Sequence, residues 1–312
     1  MAESRTVVYG ALAGNTAIAI TKFIVAGITG SSSMLSEAIH STVDTGNSVL
    51  LLVGIKRSER QGDAEHPFGY GREIYFWSLI VAVLIFGLGG GMSIYEGIQH
   101  IRRPEPMTDP KWNYIVLAAA AVFEGISFGI GLHAVFKAKG EKPLWKALHD
   151  SKDPGTFTVV AEDSAALAGL ALAAIGIFAS HYLDMPVLDG AASIAIGLLL
   201  AAVAVLLIRE SRGLLIGEGI DKTTAHAVRD MVEQDAAVIR SGYPLTMYLG
   251  PEEVLMTLDV EFNKDMPAEQ VFQAVRRIES AIKARFDRIK RIYIESNPRA
   301  VQVQAERLRK ST

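Results

Sequence analysis

His40 and Asp44 stand four residues apart in SEAIHSTVD (36–44), inside a run that is otherwise largely apolar. On a helix that spacing puts an imidazole and a carboxylate on one face, one turn apart, so a single cation can touch both. Ionisable groups inside a bilayer are costly; where they occur they face a bundle interior or a water-filled cavity and mark ion pathways. Later apolar runs supply Glu124 and the adjacent pair Glu162 and Asp163. With a helical rise of ~1.5 Å per residue, Asp44 and Glu124 fall roughly 15 Å below the outer membrane edge and Asp163 roughly 20 Å, with His40 one turn further out. One imidazole with two or three carboxylates suits a four-coordinate divalent metal such as Zn2+, and a set richer in oxygen leaves Mn2+ or Fe2+ open. Other ionisable residues in these runs have plainer readings. Glu37 is expected at the outer headgroups, Lys22 to snorkel from the first run, His133 and His181 to be structural at span ends, and Asp189, heading the sixth run, to tolerate change.

Positioning these groups requires membrane-crossing helices. Apolar runs of spanning length occupy 7–28, 34–55, 75–98, 114–136, 156–182 and 190–208. Half of the 312 residues are hydrophobic and the mean hydropathy is positive, as expected of a membrane protein. Six crossings place both termini on one side. Lys56, Arg57, Arg60 and Arg72 follow the second run and Lys137, Lys139, Lys142, Lys146 and Lys152 the fourth, so the positive-inside rule predicts cytoplasmic termini, against a minority of outer charges at Arg102, Arg103 and Lys111. Gly87, Gly89, Gly90 and Gly91 suggest close helix packing. A net charge of −3 offers no basic field for nucleic acid, and the absence of cysteine removes disulfides and thiolate ligands. No H-E-x-x-H occurs, which argues against a membrane metalloenzyme.

Half of the charged residues lie after Leu207, which predicts a two-part chain. Segment 222–234 has helical spacing, 254–262 alternates as a strand, 268–286 is an amphipathic helix and 289–296 a further strand; with a strand near 238–248 the order is α-β-β-α-β. Two helices on one face of a small sheet accommodate that order. The expected domains are a six-helix transmembrane part (1–208), a cytoplasmic α+β part (209–298) and a tail (299–312). A single histidine, His226, with Asp259, Glu261 and Glu295 as solvated strand carboxylates, favours a dimerisation role there over metal binding.

The run GNTAIAITKFIVAGITGSSSMLSEAIHSTVD, the loop HPFGYGRE (66–73), the fifth-run acid and the short α+β tail together resemble the cation diffusion facilitator family. That resemblance implies a homodimeric secondary transporter, not an enzyme, in the cell inner membrane. It would exchange a divalent metal, generally zinc, for protons by alternating access, with a ferredoxin-like cytoplasmic domain and no prosthetic group. His40 and Asp44 match the second-span half of the family's metal site and Asp163 the fifth-span half. Val159 stands where the family's other fifth-span ligand is expected, so Glu124, ahead of Glu162, is the replacement. A channel or uniporter without proton coupling is the rival. In the loop, Asp63, Glu65, His66 and Glu73 offer a second metal site by resemblance; the plainer expectation is that its Gly and Pro turns stabilise the helix ends.

Overall fold

The computed structural model describes residues 2–104, 110–139 and 154–297, with side chains described for 15–104, 110–133, 135–136 and 157–297. Lys142, Lys146 and Lys152, used above for topology, and the tail 299–312 lie outside the described residues. The chain divides into two compact units, one comprising Met1–Lys56 with Glu73–Arg212, the other Arg57–Arg72 with the residues from Gly213 on. The loop after the second apolar run therefore groups with the C-terminal unit.

The first unit is helical. Its elements are α1 (Ala2–Thr29), α2 (Ser32–Ser58), α3 (Glu73–Leu84), α4 (Met92–Arg102), α5 (Lys111–Lys139), α6 (Pro154–Tyr182) and α7 (Val187–Leu215). The third apolar run is not one regular α-helix: a π-helical stretch, Ile85–Gly91, joins α3 to α4. Among the described residues four segments are long and apolar enough to cross a membrane, namely Glu73–Arg102, Lys111–His133, Phe157–Tyr182 and Val187–Leu215, and Asn15–Thr29 is a shorter apolar helix. The second run, expected to be equally apolar, falls short. It is a helix of 27 residues, but Ser, Glu, His, Asp and Asn line its buried side and lower its mean hydropathy. Met34, Val81, Ile85, Leu117, Leu170, Ile177, Ile196 and Leu200 form the bundle core. Ile24, Ile28, Val122, Ile126, Ile130, Ile175, Phe178 and Leu198 project outward. Helices apolar inside and out suit lipid as the surrounding medium.

Glycines set a close helix contact. A methyl at Gly97 would stand 2.5 Å from the Gly190 carbonyl oxygen, and one at Gly197 would stand 2.7 Å from that of Gly90, so α4 and the π stretch approach α7 backbone to backbone. Gly87 corrects the sequence expectation: nothing lies within 4 Å of a methyl placed there.

In the second unit, α8 (Lys222–Glu233) is capped by Asp221, whose carboxylate accepts from Thr224 N at 3.0 Å. The expected strand near 238–248 splits into β1 (Val238–Ser241) and β2 (Leu245–Gly250), which together run antiparallel along one edge of β3 (Glu253–Phe262). On its other edge β3 pairs in parallel with β4 (Ile289–Ser296), reached through α9 (Ala268–Arg285). Alternate residues Val254, Met256, Leu258 and Val260 are buried. So are Ala225, Val228 and Val232 of α8 and Ala274, Ile278 and Ile282 of α9, at the three- and four-residue spacing of one helical face. The observed order is α-β-β-β-α-β: the expected helices and sheet, with the first expected strand in two pieces. Glu261 is not the solvated carboxylate its strand position suggested: it is 8% exposed and paired with Arg240 at 2.9 Å.

The loop Arg57–Arg72 lies on β2 rather than only capping helix ends. Arg72 Nε donates to the Tyr248 carbonyl at 3.3 Å, and Arg291 stacks over Phe68 with its guanidinium 5.3 Å from the ring centre. Gly71 is required here, because a Cβ would collide with the Leu249 carbonyl oxygen.

Candidate metal site

Helix α2 begins where Ser31 turns back on the chain: its hydroxyl accepts from Met34 N at 3.2 Å as an N-cap. Asp189, in the first turn of α7, completes that start. Its carboxylate accepts from Ser32 N at 2.6 Å, Ser33 N at 3.3 Å, Ser31 Oγ at 3.1 Å and the Ser33 hydroxyl. It is fully buried. The expectation that Asp189 tolerates change is thus overturned: it is the acceptor that satisfies the free amides of the α2 N-terminus.

From there a polar stripe runs down α2 through Ser36, Glu37, His40, Ser41, Asp44 and Asn47. His40 is 2% exposed, and its Nδ1 lies 3.4 Å from Asp44 Oδ1 without hydrogen-bond geometry. Neither ring nitrogen of His40 has a hydrogen-bond partner, nor does Asp44 Oδ1. Glu124 and Ser127 project from α5, and Glu162 and Asp163 from α6, which packs along α5. Asn47 Nδ2 donates to Glu162 Oε1 at 3.0 Å, and Ser127 Oγ to Asp163 Oδ2 at 2.8 Å. Asp44 is in electrostatic range of Glu162 and Glu124, and Glu124 of Asp163. Asp44, Glu124, Glu162 and Asp163 are thus linked pairwise, and His40 neighbours this set through Asp44. Among the described residues, no three His, Asp or Glu side chains converge closely enough to hold one ion in this conformation.

Val159 packs with Val160 over Gly131 of α5 and adds no donor. Asn47 and Ser127 escaped the sequence reading, although each lies on the face already marked, three residues beyond Asp44 and Glu124 respectively. Two other expectations are corrected. Lys22 does not snorkel and Glu37 does not reach headgroups: they are 1% and 0% exposed and form an ion pair of 3.1 Å between α1 and α2.

Elsewhere, Asp63 organises the 63–70 turn by accepting from His66 N at 2.8 Å and Tyr70 Oη at 2.7 Å. The Tyr70 hydroxyl first, then the backbone amides, hold its carboxyl below the usual aspartate range. The His226 ring meets Tyr243 edge to face. Asp259 and Glu295 are neighbours across the β3–β4 register.

A family model described as the cation efflux transmembrane domain matches residues 8–216. The chain is 35% identical over 237 residues to the mitochondrial proton-coupled zinc antiporter SLC30A9 of Xenopus laevis, covering 75% of this chain and 42% of that protein. It thus spans about two fifths of that relative's length. It is 26% identical over 305 residues to the magnetosome protein MamM of Paramagnetospirillum magneticum, covering 95% of this chain and 89% of that one. A solved structure of the MamM C-terminal domain in a nickel form aligns at 13% identity with a TM-score of 0.24, covering 25% of this chain and 99% of the other. By the match across its helical unit, this chain belongs to the cation diffusion facilitator family, whose members are membrane transporters and not enzymes.

Proposed function

We propose that the protein exports a divalent metal cation, Zn2+ foremost, exchanging it for protons by alternating access. It acts as a homodimer in the cell inner membrane, with both termini cytoplasmic. The observation that carries this reading is His40: a sealed imidazole with both nitrogens unpartnered, one turn from Asp44, which in turn is within electrostatic range of acids on α5 and α6. A buried polar group without a partner is costly, and a transported cation supplies the partner. Asp163 is the α6 ligand. Glu124 is preferred to Glu162 as the fourth, because Glu162 and Asp163 are adjacent on α6 and point ~100° apart, so the two do not face one ion squarely. The protein's ligands must shed protons to take the metal, which ties loading to proton movement. The closed shell forms when α5 and α6 shift toward α2. The acid-rich set also favours Mn2+ or Fe2+ as competing cargo.

Zinc uptake by the purified protein in proteoliposomes tests the assignment. His40→Ala, Asp44→Ala and Asp163→Ala lose uptake while retaining the wild-type elution profile in detergent. Glu124→Gln weakens zinc affinity more than Glu162→Gln. Undiminished uptake by Asp163→Ala contradicts the site.

A further inference from the structure

Lys22 is a full cation placed inside the polar stripe of a site that takes cations. Its ammonium donates to Glu37 Oε2 at 3.1 Å and to Ser41 Oγ at 2.7 Å, and these two partners flank His40 in sequence on α2. It is 1% exposed, far from the rim position a snorkelling lysine takes. Glu37 is clasped from the other side by α6, where Gly169 leaves room: a methyl there would stand 2.5 Å from Glu37 Oε1, which has no hydrogen-bond partner. The pair is neutral in sum but not symmetric toward the site. The ammonium reaches from Glu37 to Ser41, one turn further along α2 toward Asp44 and next to His40, so it lies further along the ligand stripe than the carboxylate it pairs with. A buried ion pair is weak evidence for stability, since apolar replacements of similar volume often fold as well; its placement beside the ligands calls for another reason.

We infer that Lys22 sets the affinity of the transport site: its fixed ammonium, held by Glu37 and Ser41 beside His40, weakens the hold of the ligands on a divalent cation and so hastens release. This rests on the metal-site reading above. In a medium of reduced dielectric a unit charge near a dication outweighs what the same charge does in water. A transporter gains from that repulsion, because a cluster of carboxylates and an imidazole that bound zinc too tightly would load and not turn over. Glu37 and Ser41 hold the ammonium in place on the α2 side.

The test is the sign of two affinity changes. Zinc ion alone is titrated into the purified full-length protein and the Kd measured, with KM and kcat for transport alongside. Lys22→Met tightens zinc binding about tenfold and lowers KM and kcat together, whereas Glu37→Gln, which keeps an acceptor for the ammonium but loses the charge, weakens binding about tenfold. The double variant Lys22→Met with Glu37→Met falls between them. If Lys22→Met does not fold, the double variant still binds more tightly than Glu37→Gln. A merely structural pair moves both single variants in one direction. Shifts of the same sign, or no shift in either, overturn the inference. Zinc binding that survives His40→Ala overturns the site reading itself, and is read separately.

Discussion

Asp189 and Glu37 are carboxylates whose local sequence suggests a helix head and a headgroup contact, yet both are sealed inside the helical unit. Local pattern shows the face a residue occupies, not a partner 158 positions away, which is the separation of Ser31 from Asp189. By contrast the closeness of His40 and Asp44 was legible, because a four-residue spacing on one helix sets it directly. The Asn47–Glu162 and Ser127–Asp163 bonds were not, because they depend on how α2, α5 and α6 turn toward each other. Asp189→Ala is expected to lower stability by about 3 kcal/mol, since the amides of Ser32 and Ser33 and two hydroxyls lose their buried acceptor. Asp189→Asn keeps an acceptor and costs less. Thermal unfolding of the solubilised protein measures this; an unchanged Tm for Asp189→Ala contradicts the anchor.

At the level of elements, hydropathy located the helices and period-two alternation located β3, but neither could show that α4 meets α7 through glycine. Gly97→Ala is expected to destabilise by about 2 kcal/mol, because its methyl meets both the Gly190 carbonyl and Ile194. Gly87→Ala, with open space around it, leaves Tm unchanged or slightly raised. Equal effects contradict the packing. In the α+β unit, burial raises the Asp235 carboxyl, but hydrogen bonds from Arg277 and the Ala237 amide, with the Arg277 charge, outweigh it and depress it below the usual 3.8. A depressed carboxylate stabilises the fold fully above its unfolded value and loses that contribution as the pH falls through its folded value. The Tm difference between wild type and Arg277→Ala should therefore be largest near about pH 6 and vanish as the pH drops well below about 4. A difference independent of pH contradicts the pairing.

For the whole molecule, the segregation of charge behind Leu207 foretold two units, and the family resemblance foretold their kinds. That the loop Arg57–Arg72 belongs with the second unit was not legible: its hold depends on Gly71 meeting the Leu249 carbonyl and Arg72 reaching that of Tyr248, contacts between residues far apart in the chain. In the proposed exchange, ligands that bind metal only after shedding protons make a bundle that carries either load across, which links the two flows. Zinc flux in proteoliposomes with a proton gradient imposed, abolished and reversed tests this most directly. Under exchange, zinc is expected to move against its own gradient when protons run the opposite way, and to reverse direction with the proton gradient. Flux that follows the zinc gradient alone in all three conditions would contradict it and leave a channel or uniporter.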